Sequence, residues 1–260
     1  CAVKDFNTRH QRKQGEYVGA FLSLRAGNPF EIWMTEICDG LQRYEFERYG
    51  VTHPVSTVNW PTLDPLDHPT ESPVEEERRR QGMGPLRRGV CIEGHDEESL
   101  DMSTITVRAG NGFFASYHVY PYYPDFMIYG APDGNDSYRA YLDALKRHHA
   151  DQPVLIAEFG IPSSRDSAHW HPGGRDHGRH TDAEQGMING QLMRSIHAAG
   201  MAGGVLFSWF DEWCKKTWLF SEYAIPPERK PYWFNLQDPE QNYGLLAAYP
   251  GYPGKKVTLM

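Results

Sequence analysis

Residues 153–160, Pro153-Val154-Leu155-Ile156-Ala157-Glu158-Phe159-Gly160, decide how this chain reads. An apolar run leads into a single carboxylate, Glu158, which is followed by an aromatic ring and a glycine. The run is too short for a helix and is bounded by turn residues, so it predicts a buried parallel strand. A carboxylate is costly to bury unless it is paired or used. At the carboxyl end of a parallel strand it points instead into the crevice where α/β proteins place their chemistry. The bland alternative is a structural glutamate bonded to an arginine or a backbone N–H.

Three further segments end in the same way. Residues 113–126 read as a strand running into an aromatic, proline-broken loop with Tyr120, Tyr122 and Tyr123. Residues 203–213 read as a strand with Trp209, Asp211 and Glu212 at its end, and residues 54–61 as one ending in Asn59 and Trp60. Carboxylates beside aromatic faces suit sugar rings, whose C–H faces stack while their hydroxyls take hydrogen bonds.

Composition narrows the classes. The chain has 260 residues, 40% hydrophobic, so it is globular rather than disordered. Aromatics make up 13%, including 15 Tyr and 7 Trp, which favours an aromatic-lined cleft. A net charge of −8 argues against a nucleic-acid partner, which needs a basic surface. No apolar run approaches the roughly 18 residues of a membrane span. Cys1, Cys38, Cys91 and Cys214 form no CxxC pair and no disulfide framework. Cys38 reads as a small buried hydrophobe. The charged residues that follow Cys1 fit an excerpt of a longer chain better than a lipidated N-terminus. Nothing selects between a secreted and a cytoplasmic location.

Along the chain, residues 1–19 read as irregular. Asn28-Pro29 starts a helix over 29–49, ended by Gly50. The run Glu75-Glu76-Glu77-Arg78-Arg79-Arg80 reads as an exposed helix laced by charge pairs, and Arg87-Arg88 as surface. A helix is expected at about 137–149. Thr181-Asp182-Ala183-Glu184 is a capping box that starts a helix ending near Gly200. Helices alternating with short apolar strands predict an α/β fold with a parallel sheet. Residues 1–220 then form a portion of a barrel, and 221–260 an extension that wraps it or leads to another domain. A complete barrel needs about 250 residues, yet only four strands are clear. Either strands are hidden in 1–27 and 61–112, or the first half of the barrel lies outside this chain.

The chain resembles the retaining glycoside hydrolases of clan A, and more closely the cellulase-like barrel proteins of bacteria. The resemblance rests on Tyr44-Glu45-Phe46-Glu47-Arg48-Tyr49-Gly50, Val58-Asn59-Trp60-Pro61-Thr62-Leu63-Asp64-Pro65-Leu66 and Ser116-Tyr117-His118-Val119-Tyr120-Pro121-Tyr122-Tyr123-Pro124-Asp125. It continues in Ile156-Ala157-Glu158-Phe159-Gly160-Ile161-Pro162-Ser163-Ser164 and Asp211-Glu212-Trp213. It implies a (β/α)8 TIM-barrel type of fold, of which strands five to eight lie in this chain. Glu158 would be the nucleophile at the end of strand seven, with His118 and Tyr120 on strand six beside it. The acid/base glutamate would end strand four, just before residue 1, and no Asn-Glu-Pro-like motif occurs in the sequence.

Retaining hydrolysis uses two carboxyl groups about 5–5.5 Å apart. Glu158 suits the attacking role, and Tyr120 is placed to donate a hydrogen bond that favours its charged form. His118 would orient the pair or touch the sugar; otherwise it is a core histidine on a backbone carbonyl. Tyr122, Trp60 and Trp209 are expected to stack on substrate, with Asn59, Asp211 and Glu212 as polar contacts. Asp211 and Glu212 are the best carboxylate partners within the chain, unless salt bridges to Lys215, Lys216 or Arg165 hold them. Asp64 is a weaker candidate. The substrate would be an oligo- or polysaccharide, with no cofactor. Without an acid/base the chain would bind carbohydrate and not cleave it, and an incomplete barrel with open edges would self-associate. A rival reading is a metal site in the loop 169–180, where His169, His171, His177, His180 and Asp176 crowd together. Otherwise that loop is a wall over the cleft.

Overall fold

A computed structural model describes residues 2–13, 15–68, 78, 81–83, 99–124, 126–129, 136–171, 173–212, 214–217 and 236–247. The helices are α1 (Ala2–Arg9), α2 (Pro29–Tyr49), α3 (Phe126–Tyr129), α4 (Ser137–His148) and α5 (Asp182–Ala198). The strands are β1 (Gly15–Val18), β2 (Leu22–Gly27), β3 (Val58–Asn59), β4 (Ile105–Val107), β5 (Ala115–His118), β6 (Val154–Phe159) and β7 (Gly203–Leu206). The architecture is mixed α/β with parallel strand pairing. The charge run at 75–80 apart from Arg78, Arg87-Arg88, Cys1, Cys91 and most of 221–260 fall outside the described residues.

The chain divides into two compact units, 1–118 with 143–156, and 119–142 with 157–260. In the first, α2 forms where its capping residues direct. Asn28 accepts hydrogen bonds from the N–H groups of Phe30 and Glu31, and Glu31 accepts in return from Asn28 N–H at 2.8 Å. Gly50, at φ 71°, closes the helix in the left-handed conformation that glycine adopts without penalty. The inner face of α2 carries Ile32, Thr35, Cys38, Asp39 and Gln42, while Ile37, Leu41 and Tyr44 are exposed. Cys38 is the expected buried hydrophobe, and burial pushes its thiol up to about 11.

Strands β1, β2 and β4 form an antiparallel sheet whose Leu22, Leu24 and Ile105 share a core with Ile32, Cys38, Val55 and Phe113. Residues 1–19 are thus not irregular, as their composition suggested. The helix α1 packs Phe6 on Phe30 and Trp33 at 5.2 and 5.4 Å, so tertiary contact rather than sequence period supports it. Segments 15–27 and 105–107 do hold strands, but they build this antiparallel sheet of their own. Parallel pairing joins β3 to β5, with Val58 opposite Ser116 and Asn59 opposite Tyr117. The N–H of Ala115 then donates to Pro153 O at 2.9 Å, at the start of β6.

In the second unit, backbone bonds tie three segments together. Val119 N–H donates to Glu158 O, and Phe207 N–H to Phe159 O, each at 2.9 Å. The capping box of α5 is present: Thr181 Oγ1 accepts from Glu184 N–H, and Glu184 accepts from Thr181 N–H. Among the described residues, no helix is long and apolar enough to cross a membrane.

Candidate functional site

Glu158 lies one residue from the end of β6 and is half-buried. Tyr120, two residues beyond β5, donates its hydroxyl to Glu158 Oε2 at 2.8 Å. Burial pushes the Tyr120 phenol far up, and the neighbouring Tyr122 and Glu158 add to this. The hydroxyl therefore stays protonated and acts as a donor toward the carboxylate.

Behind Tyr120 is an aromatic cluster. Its ring lies 5.5 Å from Tyr122, 5.9 Å from Tyr243 and 6.5 Å from Phe207. Tyr122 and Tyr243 are buried and joined hydroxyl to hydroxyl. Tyr122 was expected as a stacking platform for substrate, but its exposure is only 6%. It stacks on His177 instead, 4.4 Å away with the planes 2° apart.

Asp211 is buried, and its Oδ1 accepts from Gly244 N–H at 2.9 Å. Glu212 pairs with Lys215 at 2.8 Å, one of the salt bridges weighed from the sequence. Lys215 lies 4.0 Å over the Phe207 ring. Trp209 is 64% exposed and meets Phe210 edge-on at 6.4 Å.

The remaining expected residues belong to the first unit. Asn59 directs both amide hydrogens to backbone carbonyls, those of Leu63 and Leu100, and accepts from Trp60 N–H. Its side chain organises the loop. Trp60 meets His118 edge-on at 6.3 Å. Asp64 is buried and bonded to His68 Nε2 at 3.0 Å.

The histidine-rich loop does not gather its donors. Among the described residues no group of three His, Cys, Asp or Glu side chains converges on a point. His171 Nδ1 takes the N–H of Gly173, His177 turns Nε2 to Glu240, and His180 Nε2 faces the carbonyl of Asp176. Asp176 caps the turn by accepting from His171 N–H at 2.7 Å. These ring nitrogens thus face separate partners and not one common point.

Sequence reasoning missed His177 as a site neighbour, and missed Glu240 altogether. Glu240 is the middle residue of the 3-10 turn Pro239–Gln241, whose cap is Asp238. The Asp-Pro-Glu string is a helix-start signal that could have marked it.

No family model and no curated protein matches the chain. Solved structures give weak likenesses. One is a glycoside hydrolase family 17 β-1,3-glucanosyltransferase from Rhizomucor miehei: 19% identity, 52% of this chain and 39% of that one, TM-score 0.32. Another is a β-glucuronidase from Bacteroides uniformis: 12% identity, 85% of this chain and 19% of that one, TM-score 0.41. A third is a GH2 β-galacturonidase from Eisenbergiella tayi: 18% identity, 54% and 21%, TM-score 0.32. The chain spans 39% or less of the length of these proteins. Scores this low decide nothing about its activity.

Proposed function

We propose that this chain carries the nucleophile side of a retaining glycosidase site, with Glu158 as the nucleophile at the end of a βα-barrel strand. The observation that carries the reading is the 2.8 Å hydrogen bond from Tyr120 to Glu158 at a strand end. A half-buried carboxylate held by a neutral donor at a strand end keeps one orientation, which suits it to the attacking role. In the first step a carboxylate oxygen bonds to the anomeric carbon as the bond from that carbon to the leaving oxygen breaks. The leaving oxygen keeps the electron pair and takes a proton from the acid/base. In the second step water attacks the same carbon, releases the Glu158 carboxylate, and gives its proton to the base.

Of the carboxylates expected as its partner, Asp211 accepts from Gly244 N–H and Glu212 pairs with Lys215. The acid/base is therefore sought outside them, and the test must not depend on it. A 2,4-dinitrophenyl 2-deoxy-2-fluoroglycoside needs no acid, because its phenolate leaves unprotonated. The full chain is incubated with gluco-, galacto- and manno-configured probes, and its peptides are analysed by mass spectrometry. The expected result is one fluorosugar adduct on Glu158, absent from Glu158→Gln. Sugar binding with no adduct from any probe would favour a carbohydrate-binding protein and sink the hydrolase reading.

A further inference from the structure

The second unit holds a polar pair, the half-buried Glu240 and the buried His177, that the two-step chemistry does not use. His177 is 1% exposed, and its Nε2 lies 3.1 Å from Glu240 Oε1. The histidine is pinned from several sides. Its N–H donates to His169 O at 2.8 Å and its own carbonyl accepts from Ala168 N–H at 2.9 Å. The ring stacks on Tyr122 and lies 5.9 Å from Tyr243. Glu240 is fixed too. Its N–H donates to Thr217 Oγ1 and Asp238 Oδ1, and its second oxygen lies 3.9 Å from Lys215 Nζ.

Two of the three rings against Tyr120 are thus the two rings that His177 touches. The imidazole plane fixes the plane of Tyr122. Tyr122 shares a hydroxyl bond with Tyr243, and together they wall the ring whose hydroxyl reaches Glu158. Burying an imidazole beside a half-buried carboxylate costs desolvation and is a poor way to gain stability alone. A hydrophobic residue stacked on Tyr122 would serve packing as well, but it would have no polar atom through which Glu240 could hold its ring in one orientation.

We infer that Glu240 and His177 form a positioning pair which, through Tyr122 and Tyr243, sets the Tyr120 hydroxyl on Glu158. The inference rests on the nucleophile reading above. Neither residue touches the sugar, so both act through Tyr120. Their loss should slow attack and leave sugar binding alone. Misplacing a reacting group by an ångström can cost roughly 10²-fold in rate, so partial loosening should cost about tenfold.

The test is labelling kinetics on the full chain with the fluoroglycoside that labels the wild type, resolving the rate at saturating probe from the probe concentration at half-saturation. Glu240→Ala and His177→Phe should each slow saturating labelling about tenfold and move half-saturation less than twofold. Glu240→Gln, which keeps an acceptor for His177, should restore most of the rate. His177→Phe keeps the stack on Tyr122, so it decides the matter if Glu240→Ala does not fold. A folded His177→Phe or Glu240→Ala protein that labels at the wild-type rate overturns the inference. So does a loss that appears wholly in half-saturation. A wild type that gains no adduct on Glu158 removes the nucleophile reading and this inference with it, whereas a labelled wild type with indifferent variants removes the inference alone.

Discussion

Tyr120 and Glu158 are tied twice: side chain to side chain at 2.8 Å, and through the backbone, where Val119 N–H reaches Glu158 O at 2.9 Å. The backbone bond fixes the register of the two segments, and the register brings the hydroxyl to the carboxylate. Tyr120→Phe keeps the ring among Tyr122, Tyr243 and Phe207 and removes only the donor. Hydrogen bonds to charged groups are worth about 1.5–3 kcal/mol, so labelling of Glu158 should slow by roughly 10–100-fold. Burial holds the phenol above its ordinary pKa of about 10, so the donor survives throughout the working range. The ratio of wild-type to Tyr120→Phe rates should therefore stay constant from about pH 6 to pH 10. A ratio that collapses toward one in mild alkali would show Tyr120 losing its proton.

Gly178 sets the loop that presents His177. Its φ is +119°, and a β-carbon there would lie 2.0 Å from the carbonyl oxygen of Asp166 and 2.5 Å from Ser164 Oγ. Backbone strain of this kind costs about 1–3 kcal/mol. Gly178→Ala should lower the melting temperature by several degrees and slow Glu158 labelling, because the residue it displaces is the one stacked on Tyr122. A variant with native stability and native labelling would detach the loop from the site.

Local engagement of the loop histidines has its own consequence. With His171, His177 and His180 each turned to a separate partner, a chelator such as EDTA should change neither melting temperature nor labelling rate. Added Zn²⁺ should not raise the melting temperature, because stabilisation by a ligand requires a site in the folded state. A rise that scales with zinc concentration would reinstate a metal site.

The elements that could be read from the sequence are those governed by neighbours along the chain. The 29–49 helix has its cap, proline and terminal glycine within its own span, and Thr181-Asp182-Ala183-Glu184 holds both halves of its capping box. The Glu158 strand announced itself by an apolar run ending in a charge. The β1–β2–β4 sheet did not, because its strands are 4, 6 and 3 residues long and its last partner lies some 80 positions from the others. Such pairings are set by contacts that local propensity does not encode. Tyr122 was misplaced for a related reason. Tyr120 and Tyr122 sit in an aromatic, proline-broken loop, and sequence alone does not say which ring faces the carboxylate and which the core. Glu240 pairs with His177 across 63 positions, a separation no motif spans.

Asp39 supplies the pH test for the first unit. It is 2% exposed and accepts from Phe21 N–H at 2.7 Å, Leu22 N–H at 2.9 Å and the Tyr17 hydroxyl at 3.2 Å. Burial works against its ionisation, but the hydrogen bonds from Leu22, Phe21, Ala20 and Tyr17 prevail and hold the carboxyl below its ordinary range. Tyr17 is correspondingly pushed up to about 12, first by burial and then by the charge of Asp39. A carboxyl with a lowered folded pKa adds stability in full above its ordinary value, about 3.9. That contribution is lost as pH falls through the lower, folded value. Asp39→Ala would strand these donors at about 1–3 kcal/mol for each one left buried. Hydrogen exchange of the peptide spanning residues 15–27 reads this locally. At pH 7 the Asp39→Ala protein should exchange there at least tenfold faster than wild type, with Asp39→Asn in between. The gap between wild type and Asp39→Asn should narrow once the pH drops below about 4. A gap unchanged down to pH 2.5 would mean that the β1–β2 turn is held by packing of Phe21 and Leu22 and not by the ionised carboxylate.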